Sequence, residues 1–179
     1  MESLIDAQFK PLFGRECWGV HWDVDMGIRL DFGSPHLEVQ EPRTETPGPG
    51  LAGDHWTYRH VRVKGDWRLW IGGHWKLILR DGRTARGSSP FREIQMALAR
   101  LDGQRLVSVD VNPETGATRF SFDLGAALDV RRESRGDDFE MWALRKPDEM
   151  EFRVRGTGSY ALERAESVES HWIALERRA

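Results

Sequence analysis

The stretch HWDVDMG at residues 21–27 puts His21, Asp23 and Asp25 at alternate positions. One imidazole and two carboxylates are the donor set of a small metal site, or of a general acid–base pair. Cys17, four residues earlier, adds a thiol that a histidine could activate as a nucleophile. Each chemistry makes a geometric demand. A zinc site needs three or four such groups converging on one point. Residues two apart on a strand are separated by about 6.5–7 Å, so one strand supplies at most two ligands. His36, His55, His60 and His74 would have to bring the rest, and their spacing does not. A lone cysteine beside tryptophan reads as a small packing residue. Neither a metal nor a cofactor is expected. Asp23 and Asp25 precede Gly27 and read as turn chemistry, because Asx side chains bond turn backbone. His21 and His36 stay as the polar candidates. The chain has no GxSxG elbow, GxxxxGK[ST] loop or HExxH, so the residues weigh against an enzyme.

The elements that must carry these residues are strands. In ECWGVHWDV, residues 16–24, Trp18, Val20, Trp22 and Val24 share one face; Cys17, Gly19, His21 and Asp23 share the other. Ile28, Leu30 and Phe32 then alternate with Arg29 and Asp31, predicting a hairpin. A second hairpin comes 89 positions later: Val107, Val109 and Val111 stand where Trp18, Val20 and Trp22 stood, and Gly103 and Gly116 match Gly14 and Gly27. After a three-residue insertion, Phe120, Phe122 and Leu124 match Ile28, Leu30 and Phe32. WRLWI at 67–71 matches FEMWA at 139–143, laying Trp70 on Trp142. IGGHW at 71–75 reads as a hairpin turn. SSPFREIQMALARL at 88–101 reads as a helix with Ser89 as N-cap and Pro90 at the first position; Ile5, Phe9 and Leu12 repeat its apolar phase.

The expected fold is α+β, mainly antiparallel β. Two similar helix-plus-β-meander halves, approximately 1–87 and 88–165, pack as one pseudo-symmetric domain, with a C-terminal tail at 166–179 that is either a short helix or a last strand. The Pro/Gly-rich loop EPRTETPGPGLAGD at 41–54 reads as a surface excursion.

The chain has 26 basic and 29 acidic residues, a net charge of −3, with the charges mixed along its length. No basic excess favours nucleic acid as a partner. No apolar run is long enough to span a membrane, and the start lacks the pattern of a signal peptide. A single cysteine with no export signal predicts a cytoplasmic protein. Eight tryptophans are the compositional oddity, and most should be packing residues.

The strand CWGV, the RLWI segment after a charged turn, and FDLG with the later LDV resemble a set of uncharacterised small bacterial proteins grouped as domains of unknown function. The resemblance implies a bacterial, β-rich protein and carries no activity.

Trp70 and Trp142 fall on the face opposite Trp67, Leu69 and Ile71, flanked by Arg59, Arg62 and Arg68. Tryptophan and arginine are enriched at interface hot spots. The leading expectation is a non-enzymatic protein-binding module, of which a toxin-immunity-like neutralising protein is one form. The alternative is a small-molecule binder or enzyme with a pocket between the halves, where His21, His36, Asp31 and Asp123 converge. A minor alternative is RNA binding through RHVRVKGDWRLW. A homo-oligomer is compatible with all three.

Overall fold

The computed structural model describes residues 3–24, 27–42, 59–132, 139–165, 167 and 170–176. Asp25 and most of the 41–54 loop lie outside the described residues. Helix α1 (Leu4–Phe9) leads into a 3-10 turn, Lys10–Leu12, and then to β1 (Cys17–Asp23), β2 (Gly27–Phe32), β3 (His36–Gln40) and β4 (His60–Lys64). Next come β5 (Trp67–Ile71), β6 (His74–Ile78), β7 (Thr84–Arg86), helix α2 (Phe91–Leu101), β8 (Leu106–Val111) and β9 (Thr118–Phe122). The chain continues through β10 (Ala127–Arg131), β11 (Glu140–Arg145), β12 (Met150–Arg155), β13 (Ser159–Arg164) and β14 (Ile173–Ala174). The fold is α+β and mostly antiparallel β.

Three sheets form. A seven-stranded sheet has the order β1-β2-β5-β11-β12-β13-β14, a five-stranded sheet the order β7-β6-β10-β9-β8, and β3-β4 stand apart as a two-stranded ribbon. The two larger sheets face each other across one core. Phe9 of α1, Phe120 of β9 and Trp142 of β11 meet with ring centroids 5.6–5.9 Å apart, and the Trp142 indole N–H crosses to the Thr118 hydroxyl at 2.7 Å. Trp22 of β1 meets Trp75 of β6 edge-on at 6.5 Å. Both helices close this core, α1 through Ile5 and Phe9, α2 through Ile94, Ala97, Leu98 and Leu101. Ser3 caps α1, accepting from the Asp6 amide at 3.0 Å. Ser89 does not cap α2; its hydroxyl accepts from Arg86 N instead, and Pro90 stands at the N-cap.

Three β-bulges among the described residues overturn expectations based on strict alternation. The first lies between Trp18 and His21, where Gly19 has φ +59°. One extra residue reverses the facing of the rest of the strand. Cys17 is therefore core, together with Val20 and Trp22, while His21 and Asp23 point outward. The second lies between Glu140 and Trp142. Trp142 pairs directly with Ile71 and faces the core, whereas Trp70 pairs with Ala143 on the outer face. Trp142 is fully buried, so it shares no surface patch with Trp70. The third lies between Leu106 and Ser108; it turns Val107, expected in the buried set, out to 53% exposure and puts Leu106 in the core.

The glycine pair at 72–73 is not a hairpin turn. It carries the chain from β5 in one sheet to β6 in the other, and both amides donate to the Met141 carbonyl, at 3.0 and 2.9 Å. Leu124, expected in the buried set, is an exposed turn residue. Phe122 stands opposite Leu106, as Phe32 stands opposite Cys17. The tail supplies a last strand, β14, beside β13. The Arg155 guanidinium stacks over Trp172 at 3.7 Å.

Candidate functional site

β2 and β5 are neighbours in the seven-stranded sheet, and the β3–β4 ribbon is an excursion between them. Both ribbon strands alternate. The register pairs Leu37 with Val63, Glu38 with Arg62, and Val39 with Val61. Glu38, Gln40, Arg62 and Lys64 are half-buried. Leu37, Val39, Val61 and Val63 are 68%, 50%, 50% and 48% exposed. The ribbon is thus inside out: its polar side is turned in and its aliphatic side to solvent.

The reason lies in the sheet beneath. The outer face of the seven-stranded sheet is charged along cross-strand rows. One row runs Trp18, Asp31, Arg68, Arg145, Glu151, Glu163; the next runs His21, Arg29, Trp70, Ala143, Arg153, Ala161. Asp31 is buried. It accepts from Arg68 Nε at 3.0 Å and from the Gly65 amide at 3.3 Å, with Arg29 Nε at 3.7 Å. Burial, and then the neighbouring Arg68 and Arg62 guanidiniums, lower the Arg29 pKa against the pull of Asp31 and Glu38. A second carboxylate is needed near these cations, and Glu38 of the ribbon supplies it, pairing with Arg62 and Lys64. Burial pushes the Glu38 carboxyl up, but the bonds from Lys64 and Arg62 outweigh it and hold it below the usual range. An apolar ribbon face would leave these buried charges unanswered.

The ribbon root is tight. A Cβ on Gly65 would lie 2.5 Å from the Phe32 carbonyl oxygen, and one on Gly33 2.6 Å from the Asp66 carboxylate. Asp66 Oδ2 accepts from the Ser34 amide at 2.7 Å. Beside the root, a cleft of about 120 Å³ is lined by His36, Lys64, Asp66, Arg68, Lys146 and Glu149, among others.

Comparison with protein-family models, curated proteins and solved structures returned no match.

Arg62 and Arg68 come together beneath the ribbon, and Arg59 pairs with Glu41 at the ribbon's far end, at 2.9 and 3.0 Å. Arg59, Arg62, Lys64 and Arg68 of the basic run 59–70 each have a carboxylate partner. Trp70 is half-buried on the outer face, its ring lying across Gly72. His36 stands at the cleft rim, 3.9 Å from Asp66. His21 is exposed, opposite Arg29 on β1's outer face. Asp123 accepts from the Arg105 amide beside the other sheet, so it does not converge with His21, His36 and Asp31. Among the described residues no three His, Cys, Asp or Glu groups cluster as a metal site.

The five-stranded sheet has its own charged outer row, Asp110, Arg119, Asp129, Lys76 and Arg86. Arg119 and Asp129 bond twice, at 2.6 and 2.8 Å, so the row answers its own charges. The aliphatic ribbon face is not among the sequence candidates, although its signal is present. HLEV and HVRVK alternate cleanly, and alternation alone does not say which side turns to solvent.

Proposed function

We propose that this protein is a non-enzymatic protein-binding module whose contact surface is the aliphatic face of the β3–β4 ribbon. The observation that carries the reading is the facing of Leu37, Val39, Val61 and Val63. Four aliphatic side chains on two paired strands form a contiguous patch, and such patches on water-facing surfaces mark interaction sites. The ribbon pairs with neither larger sheet, so its edges also suit a partner that adds a strand. The Arg59–Glu41 pair leaves the patch rim neutral, which favours a partner with an apolar, weakly charged face. A neutralising protein of the toxin-immunity kind fits this surface. The net charge of −3, with the charges mixed along the chain, disfavours an RNA backbone as the partner.

We further infer that the chain uses one unit twice and works in a bacterial cytoplasm, within the set of small β-rich proteins it resembles. The duplication is supported by the two hairpins. Cys17↔Phe32 and Trp22↔Ile28 in one answer to Leu106↔Phe122 and Val111↔Thr118 in the other. The cytoplasmic reading rests on the lone buried thiol of Cys17. Among the described residues no helix is long and apolar enough to cross a membrane.

The test is capture from cells of the native host with the parent and with the double variant Leu37→Asp/Val61→Asp. The expected result is a protein recovered with the parent and lost with the variant. Equal recovery with both, or none with either, overturns the reading.

A further inference from the structure

We propose that the cleft at the ribbon root binds a small oxyanion, with inorganic phosphate as the simplest member of the class. This goes beyond the protein-binding reading and stands on different residues. Four basic side chains converge there from three elements and a turn: Lys64 from β4, Arg68 from β5, Arg145 from the end of β11, and Lys146 from the turn after it.

The deeper two are the informative ones. The Lys64 and Arg68 side chains are only 16% and 15% exposed, and each has more donors than its carboxylate uses. An ammonium carries three N–H donors and a guanidinium five. Arg68 spends Nε on Asp31, while its Nη2 is closed to solvent and has no hydrogen-bond partner among the described residues. A buried donor with no acceptor is costly, and an anionic oxygen is the acceptor that answers it best. The acidic groups at the rim do not reach it. Asp66 Oδ2 is turned to the Ser34 amide, and Glu149 Oε2 accepts from Arg145 Nη2 at 2.6 Å. Lys146 Nζ reaches Gln8 Oε1 at 3.3 Å and keeps donors to spare.

Size narrows the class. The cleft holds about 120 Å³, room for one tetrahedral oxyanion. An arginine fork beside two ammonium groups is the donor arrangement that suits phosphate oxygens.

The experiment is titration of the isotope-labelled full chain with sodium phosphate at constant ionic strength, followed by amide NMR, with sodium chloride as the control. Lys64→Met and Lys146→Met are the variants. Glu38 keeps Arg62 when Lys64 is removed, so both variants are expected to fold. Removing Arg68 would strand the buried Asp31, so that variant is not used. The expected result is saturable shifts at Gly65, Arg68 and Lys146 with phosphate but not chloride. Each variant should weaken binding about tenfold or more, the scale of one charge-assisted hydrogen bond. Shifts matched by chloride mean a general salt effect with no oxyanion site, and they overturn the proposal, as does the absence of saturable shifts. So does saturable binding that neither variant weakens.

Discussion

The Cys17 thiol donates to the Leu101 carbonyl at 3.3 Å in the core, and burial pushes its pKa up from 9.0 to about 12. A buried, protonated thiol is a poor nucleophile. The same shift makes a stability prediction. Below the unfolded-state pKa near 9, both states hold the proton and the full stability is present. Between pH 9 and 12 the unfolded chain loses its proton while the folded one keeps it. Stability should then fall by about 1.4 kcal/mol per pH unit from this group. Urea unfolding of the parent and of Cys17→Ala across that range checks it. The gap between the two should shrink as pH rises, and a constant gap would contradict the assignment. Cys17 was legible as a packing residue from its tryptophan neighbour. Its facing was not, because the bulge at Gly19 adds one residue that alternation alone does not reveal. The same limit misplaced Trp142: with the extra residue before it, its ring turns from solvent to core.

Among the elements, the ribbon depends on its root. Ala at position 65 would force the β4 end away from Phe32, and overpacking of that kind costs about 1–3 kcal/mol. Denaturant unfolding of Gly65→Ala should show a loss in that range; a variant as stable as the parent would mean the root is loose. The strands themselves were largely readable. Period-two patterns located β2, β8 and β9, and glycines located most turns. A double glycine marks a turn but not which sheet the chain enters next, so the crossover at 72–73 looked like a hairpin. The ribbon shows the deeper limit. Its alternation is plain, yet which side faces inward is decided by Arg29, Asp31 and Arg68 on strands before and after it.

Across the whole molecule, the two sheets interleave the chain. β1, β2 and β5 pair with β11 to β14, while β8, β9 and β10 pair with β6 and β7. Strands before and after the turn at Gly87 and Ser88 therefore complete each other's sheets, and neither set closes a core alone. Fragments 1–87 and 88–179 should each be unfolded by circular dichroism and should fold when mixed; cooperative unfolding of either alone would contradict the interleaving. Within this frame the ribbon's aliphatic face is surplus to the monomer, and the proposed function rests on that surplus. The decisive quantity is the unfolding free energy of Leu37→Asp/Val61→Asp. A face that packs against nothing in the monomer gives a value within about 0.5 kcal/mol of the parent, as for surface positions. A loss of about 2 kcal/mol or more, the scale of a core substitution, would show that the face is packed within the monomer and is not presented to a partner.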